Sequence, residues 1–228
     1  MKLITFIAFT TLLFSGLAQA QDSAKERIAA LKASVATNKI ILKQYQWIQT
    51  TTVSMNGDVK STKQERCYYG DDGSLQKVVI SDTTAPQQQG GLLFRRIKEE
   101  KKQEMMDYMK SAVSLVKSYV PPNPSLIQAA KDAGNVSMQK VGGGRIRIVF
   151  QSYLKAGDTY SVEVNLMDNR PVGLNVKTYV NDPSDVVKMS AVMGQLDNGT
   201  SYPADITLNA ESKGITVVVH NGGYQRKN

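Results

Sequence analysis

The stretch RIRIVFQSYLKAGDTYSVEVNLMDNRPVGLNVKTYV, residues 145–180, decides the fold. Ile146, Ile148 and Phe150 fall on one side of an extended chain, with Arg145, Arg147 and Gln151 on the other. Tyr160, Val162, Val164 and Leu166 alternate in the same way with Ser161, Glu163 and Asn165, and Val172, Leu174, Val176 and Val180 continue the pattern. Strand side chains point to opposite faces in turn, so a two-residue period predicts antiparallel strands with one apolar and one wet face. Gly157-Asp158 and Asp168-Asn169 supply the turns between them.

The alternation runs on to the C-terminus. Val187, Met189, Ala191 and Met193 form one set, Ala204, Ile206, Leu208 and Ala210 the next, and Ile215, Val217 and Val219 the last. Turn residues separate them at 181–185, 197–199 and Lys213-Gly214. Upstream, residues 45–55 are rich in aromatic and hydroxyl side chains and end at Asn56-Gly57, the dipeptide favoured by a type I′ hairpin turn. Counting back from that turn sets Met55 opposite Asp58, Tyr45 opposite Tyr68, and Trp47 opposite Arg66 as a cation–π pair. Both faces of this hairpin are otherwise polar, which suits a sheet edge or a wet opening. A third strand follows at Leu75 to Ile80.

Helices break into the strand pattern twice. Ser23 and Glu26 form an S-x-x-E capping box ahead of Ile28, Leu31, Val35 and Leu42 at helical spacing. Residues 83–91 read as a flexible connector closed by Gly90 and Gly91. Beyond them 92–119 reads as a long helix with Ile97, Met106, Met109, Val113 and Val116 along it, stopped by Pro121 and Pro122. Asn123 and Pro124 start a shorter helix that runs to Gly134. The fold class that follows is α+β: a large curved antiparallel sheet of about nine strands, a half-open barrel, with an N-terminal helix and a helical insertion at about 92–134 packed on its concave face.

Residues 1–20 carry the parts of an export signal: Lys2, an apolar run from Leu3 to Leu13, and the small-residue site Ala18, Gln19, Ala20. Cleavage after Ala20 leaves residues 21–228 as one carrier-like domain, periplasmic or secreted, with no second apolar run long enough to span a membrane. The formal net charge of +8 is diffuse. In an exported protein it suits a solvated surface or contact with anionic envelope surfaces better than nucleic acid.

Chemistry-bearing residues are few. One His and one Cys in 228 residues exclude the usual His-rich or Cys-based metal sites and a disulfide framework. Cys67 reads as a small, partly buried strand residue. His220 falls on the wet side of the last strand, opposite in parity to Val217 and Val219, which is no setting for a catalytic base. Gly142 to Gly144 precede a strand and lack the Lys-Ser or Lys-Thr of a phosphate loop, so they read as a hairpin loop. No catalytic set, cofactor or metal site is expected. The long helix holds the remaining candidates. Arg95, Arg96, Lys98, Lys101 and Lys102 crowd its first half as a contact for anionic surfaces, and Met105, Met106 and Met109 cluster at its middle. A Met cluster is ordinary core or a pliable wall for an apolar guest.

The order of N-terminal helix, Trp47-bearing hairpin with Asn56-Gly57, helical insertion and long meander resembles the periplasmic carriers of outer-membrane lipoproteins and their relatives. The phrases Tyr45-Gln46-Trp47, Val120-Pro121-Pro122 and 130–134 (AKDAG) are similar to those of exported bacterial proteins without an assigned activity. The resemblance implies a half-open barrel with helices lodged in it and a lipid or other apolar ligand between the two. The Arg-Pro and Phe-Arg-Trp stretch of a true lipoprotein carrier is absent, with Glu65-Arg66-Cys67 standing nearby. Two readings follow. One is a carrier or sensor holding an acyl chain against Trp47, Arg66, Met105, Met106, Met109 and Phe150. The other is an envelope scaffold or interaction module with a dry core that binds anionic surfaces. The export reading predicts that the protein released by its own leader starts at Gln21 on N-terminal sequencing; a secreted chain that retains Met1 to Ala20 contradicts it.

Overall fold

The computed structural model describes residues 29, 33, 36–38, 40–84 and 92–227. Within the long helix, side chains are described from Glu100 onward, Lys102 apart. The export signal, the capping box and Ile28, Leu31 and Val35 lie outside the described residues. Helical residues 36–38 and 40–42 lead into the first strand, with Leu42 half-buried.

A hairpin and its neighbour come first, β1 (Tyr45–Met55), β2 (Asp58–Tyr69) and β3 (Leu75–Thr84). The insertion follows as α1 (Leu92–Lys117) and α2 (Pro124–Asp132). Then comes the meander: β4 (Val136–Gly142), β5 (Arg145–Gln151), β6 (Thr159–Asn165), β7 (Arg170–Tyr179), β8 (Val186–Gln195), β9 (Ser201–Ala210) and β10 (Ile215–Arg226). Among the described residues all ten strands form one antiparallel sheet, ordered β3-β2-β1-β10-β9-β8-β7-β6-β5-β4. The last strand pairs with the first, and β3 and β4 are left as free edges, so the barrel is open. The tenth strand, β4, escapes the sequence pattern because its alternation lasts only from Val136 to Gln139 before Lys140 takes the next apolar place. Thr83 and Thr84, expected in the connector, extend β3, and residues 85–91 lie outside the described set.

Register turns the apolar alternation into continuous rows. Val53, Val217, Leu208, Met189, Val176, Tyr160, Phe150 and Val136 are successive cross-strand partners over eight strands. Such facing pairs are the unit of sheet stabilisation, and a one-residue slip would turn the whole row to water. Bulges adjust the rows locally, as an extra residue bends and twists its strand. Val172 and Ala204 are such residues, next to Pro171 and Pro203, which cannot donate to a regular ladder. Neither therefore takes the inward place that strict alternation gives it, and Leu166 lies beyond β6 in an exposed turn.

A third bulge overturns the expected hairpin register. Met55 does face Asp58 and Ser54 faces Val59, but Val53 then faces Ser61, leaving Lys60 as the extra residue. Every pair beyond it shifts by one. Trp47 faces Cys67, Tyr68 faces Gln46, and Arg66 faces Ile48 on the opposite side of the sheet from Trp47. The Trp47–Arg66 cation–π pair does not form.

The helices cover the apolar face through two cores. In one, Tyr119, Ile148, Phe150, Tyr153, Tyr160, Val162 and Val164 are buried, with Leu126 and Ile127 of α2 against them. In the other, Ala112 and Val116 of α1 meet Val187, Leu208, Ala210 and Ile215. Asn123 caps α2, its side chain accepting from the Ser125 amide at 2.9 Å, while α1 stops at Lys117, ahead of the prolines.

Two carboxylates fasten the insertion to loops at one end of the sheet. Asp158, 1% exposed, accepts the Tyr119 hydroxyl at 2.5 Å and the amides of Tyr153, Leu154 and Lys155 at 2.6, 3.0 and 2.9 Å. Asp185 accepts the Tyr108 hydroxyl at 2.7 Å, the Asn181 amide at 3.0 Å and the Ser212 hydroxyl. Burial pushes the Tyr108 phenol up to about 12, helped by its bond to Asp185. Burial, then the bond to Asp158, raises Tyr119 as well. Both phenols stay neutral donors at physiological pH. Asp158→Ala, which strands three backbone donors and a phenol, should lower stability in urea by about 3 kcal/mol or more, and Tyr119→Phe by about 1–2 kcal/mol. Wild-type stability in Asp158→Ala would show that the clamp does not hold the insertion.

Candidate functional site

Both cores have a buried centre and a partly buried rim, but they are built from different side chains. The aromatic side is filled: Tyr153 stacks on Tyr160 at 4.9 Å between ring centroids, with Phe150 5.8 Å from Tyr160 and Tyr119 5.8 Å from Tyr153. Phe150 is therefore core in this state. On the other side Met105, Tyr108, Met109 and Val113 of α1 and Val53, Met189 and Val217 of the sheet pack, only partly buried, around the buried Ala112, Val187, Leu208, Ala210 and Ile215. Methionine side chains have three rotatable bonds and few rotamer demands, so they fill this half-open strip without locking it. Met106, one position round the helix, is exposed at 43% and lies off the strip. Val53 and Val217 face each other across the β1–β10 ladder, which sets the floor of the strip.

Trp47 belongs to neither core. It is buried on the helix-bearing face of β1, its Nε1 donating to Asn221 Oδ1 at 3.1 Å, with Tyr224 stacked at 5.4 Å and Tyr69 at 5.8 Å. Asn221 also accepts from Gln49 at 2.8 Å and donates to the Pro203 carbonyl at 2.9 Å, so its side chain ties β1 to β9. Beside it lies a charge cluster that pattern reading missed. Glu65 is buried between Lys63 at 2.8 Å and Lys77 at 3.5 Å, with Cys67 completely buried next along β2. Burial opposes the Glu65 charge, but the Lys63 hydrogen bond and the Lys77 charge prevail and hold its carboxyl below the usual range. Burial, as the largest effect, raises the Cys67 thiol.

The structure thus gathers Met105 and Met109, sets Met106 outside them, buries Phe150 and Trp47 in separate clusters, and turns Arg66 to the far face, exposed. Lys101 is exposed on α1; the side chains of Arg95, Arg96, Lys98 and Lys102 lie outside the described residues. His220 sits exposed on the face away from the helices, its Nδ1 2.6 Å from Asp205. Among the described residues no group of three or more His, Cys, Asp or Glu is placed to hold a metal. None of their helices is long and apolar enough to cross a membrane.

No family model matches the chain, and no curated protein matches it either. Among solved structures it is similar to a DUF1329 family protein from Desulfovibrio piger, at 12% identity over 88% of this chain and 92% of that one, with a TM-score of 0.43. It is also similar to a LolA superfamily protein from Nitrosomonas europaea, at 9% identity over 87% and 94%, TM-score 0.34. A third likeness is to the MucA/MucB complex structure of Pseudomonas aeruginosa, at 8% identity over 90% and 99%, TM-score 0.22.

The Glu65 cluster has a pH signature. A carboxyl held low in the folded state supports folding above its ordinary value of 4.5, and that support disappears as pH falls through the folded value. Glu65→Gln should therefore be less stable than wild type at pH 7 and show a shallower loss between pH 5 and pH 3, read by urea denaturation about every half pH unit. Parallel pH profiles for the two proteins contradict this.

Proposed function

We propose that this chain is a non-enzymatic carrier or sensor of the cell envelope, exported to the periplasm or secreted, that holds one apolar chain such as a fatty-acyl tail. The supporting observation is the rim of the second core, where Met105 and Met109 of α1 and Val53, Val217 and Met189 of the sheet are only partly buried around a buried centre. An acyl chain laid along Val53, Val217 and Met189 would complete the burial of that strip, each methylene removed from water contributing about 0.8 kcal/mol. Met105 and Met109 form its pliable roof in this reading. Phe150 stands behind it as the fixed wall of the neighbouring core, and Trp47 bounds the same sheet face beyond it. Arg66, on the other face, takes no part. The basic first half of α1, with Lys101 exposed, suits approach to an anionic headgroup surface.

Met109→Asp should lower the affinity for a fluorescent fatty-acid probe at least tenfold while far-ultraviolet circular dichroism stays native. Met106→Asp, off the strip, should leave uptake within twofold of wild type. A wild-type protein that takes up no probe, or an unchanged curve for Met109→Asp, would remove the reading in favour of a dry-core envelope scaffold.

A further inference from the structure

The face turned away from the helices carries a second, chemically opposite surface. Two adjacent cross-strand rows run over β6, β7, β8 and β9: Thr159, Lys177, Lys188 and Asn209 in one, Ser161, Asn175, Ser190 and Thr207 in the next. These eight side chains, with Val176 and Met189 between them, line a cavity of about 350 Å³. That is the lower end of the size range of small-ligand sites, roughly 300–1,000 Å³. No carboxylate is among the lining residues.

Two further observations mark it as more than a solvated strand surface. Lys177 and Lys188 are direct register partners, an arrangement that repels unless something negative lies between them. Lys188 reaches out to the exposed Glu211, and Lys177 has no acidic partner among the described residues. In addition, the six hydroxyl and amide side chains of the two rows make no side-chain hydrogen bond to the protein, although Ser161 is buried. Elsewhere in this chain comparable groups are used internally, as Thr178 is by Tyr119 and Asn221 by Trp47. Neighbouring strands are about 4.8 Å apart, which spaces these groups to match alternate, 1,3-related hydroxyls around a sugar ring. The lysines supply a counter-charge, and their aliphatic stems supply flat contact for ring C–H groups.

We infer that this cavity binds a sugar bearing an oxyanion, a phosphorylated or uronic-acid saccharide unit, with the anion between Lys177 and Lys188 and the ring hydroxyls on Ser161, Asn175, Ser190 and Thr207. The site opens on the other side of the sheet from the apolar strip, and Met189 is the residue the two linings share.

The test is titration of the isotope-labelled chain 21–228, followed by amide chemical shifts at constant ionic strength, with glucose 6-phosphate, glucuronate, glucose and inorganic phosphate in separate arms. Saturable shifts centred on Thr159, Ser161, Ser190 and Thr207 are expected with glucose 6-phosphate, glucuronate or both, and which of them binds identifies the source of the charge. Glucose and inorganic phosphate should each bind at least tenfold more weakly. Lys177→Ala/Lys188→Ala should weaken the charged sugar at least tenfold while remaining at least as stable as wild type in urea, because a repelling pair has been removed. No saturable shift with either charged sugar, or unchanged affinity in the double variant, overturns the site. Inorganic phosphate binding as tightly as the sugar phosphate overturns its saccharide character, and glucose binding as tightly overturns the role of the lysines.

Discussion

A ten-stranded sheet with one apolar face cannot stay open to water, and chief among the bonds that hold its cover in place are those of two tyrosines to two buried carboxylates. The cover is a single insertion between β3 and β4. Tyr119, just beyond the end of α1, gives its hydroxyl to Asp158, and Tyr108, two turns from that end, gives its own to Asp185. Each carboxylate also organises its own loop, Asp158 through three backbone amides and Asp185 through Asn181 and Ser212. A buried carboxylate is costly unless several donors meet it, so loop and helix settle together. Both clamps lie toward the C-terminal half of α1.

The sheet itself was largely legible because its information is periodic. Alternation over residues 145–219 requires strands with a common inner face, and Asn56-Gly57 gives the first hairpin turn correctly. What escaped was aperiodic. Lys60 looks like any polar strand residue, yet as a bulge it moves Arg66 to the other face of the sheet. Val172 and Ala204 look inward by parity, but the adjacent prolines place bulges there. β4 alternates over too few residues before Lys140 to show its period.

The candidate site was legible only in part. Met105 and Met109 could be read from their clustering on α1, but helical spacing alone did not separate them from Met106. Asp158 read as a turn residue after Gly157, because its partner Tyr119 is 39 positions away. Glu65 read as one polar residue of a wet hairpin, since its burial between Lys63 and Lys77 depends on β3 closing alongside. The two-row cavity of hydroxyls and lysines was hidden for the same reason: each strand contributes two unremarkable polar residues, and only the register assembles them.

The two faces of the sheet then divide the chemistry. One buries apolar rows under helices and leaves a pliable strip, and the other aligns hydroxyls, amides and a lysine pair toward solvent. The claim at the centre is that the strip is an occupied site. Native mass spectrometry with organic extraction, on the protein exported by its own leader, tests it most directly. The account predicts a lipid or other apolar molecule bound at fixed stoichiometry to the 21–228 chain. A clean mass of the polypeptide alone, unchanged after incubation with envelope lipids, would contradict it.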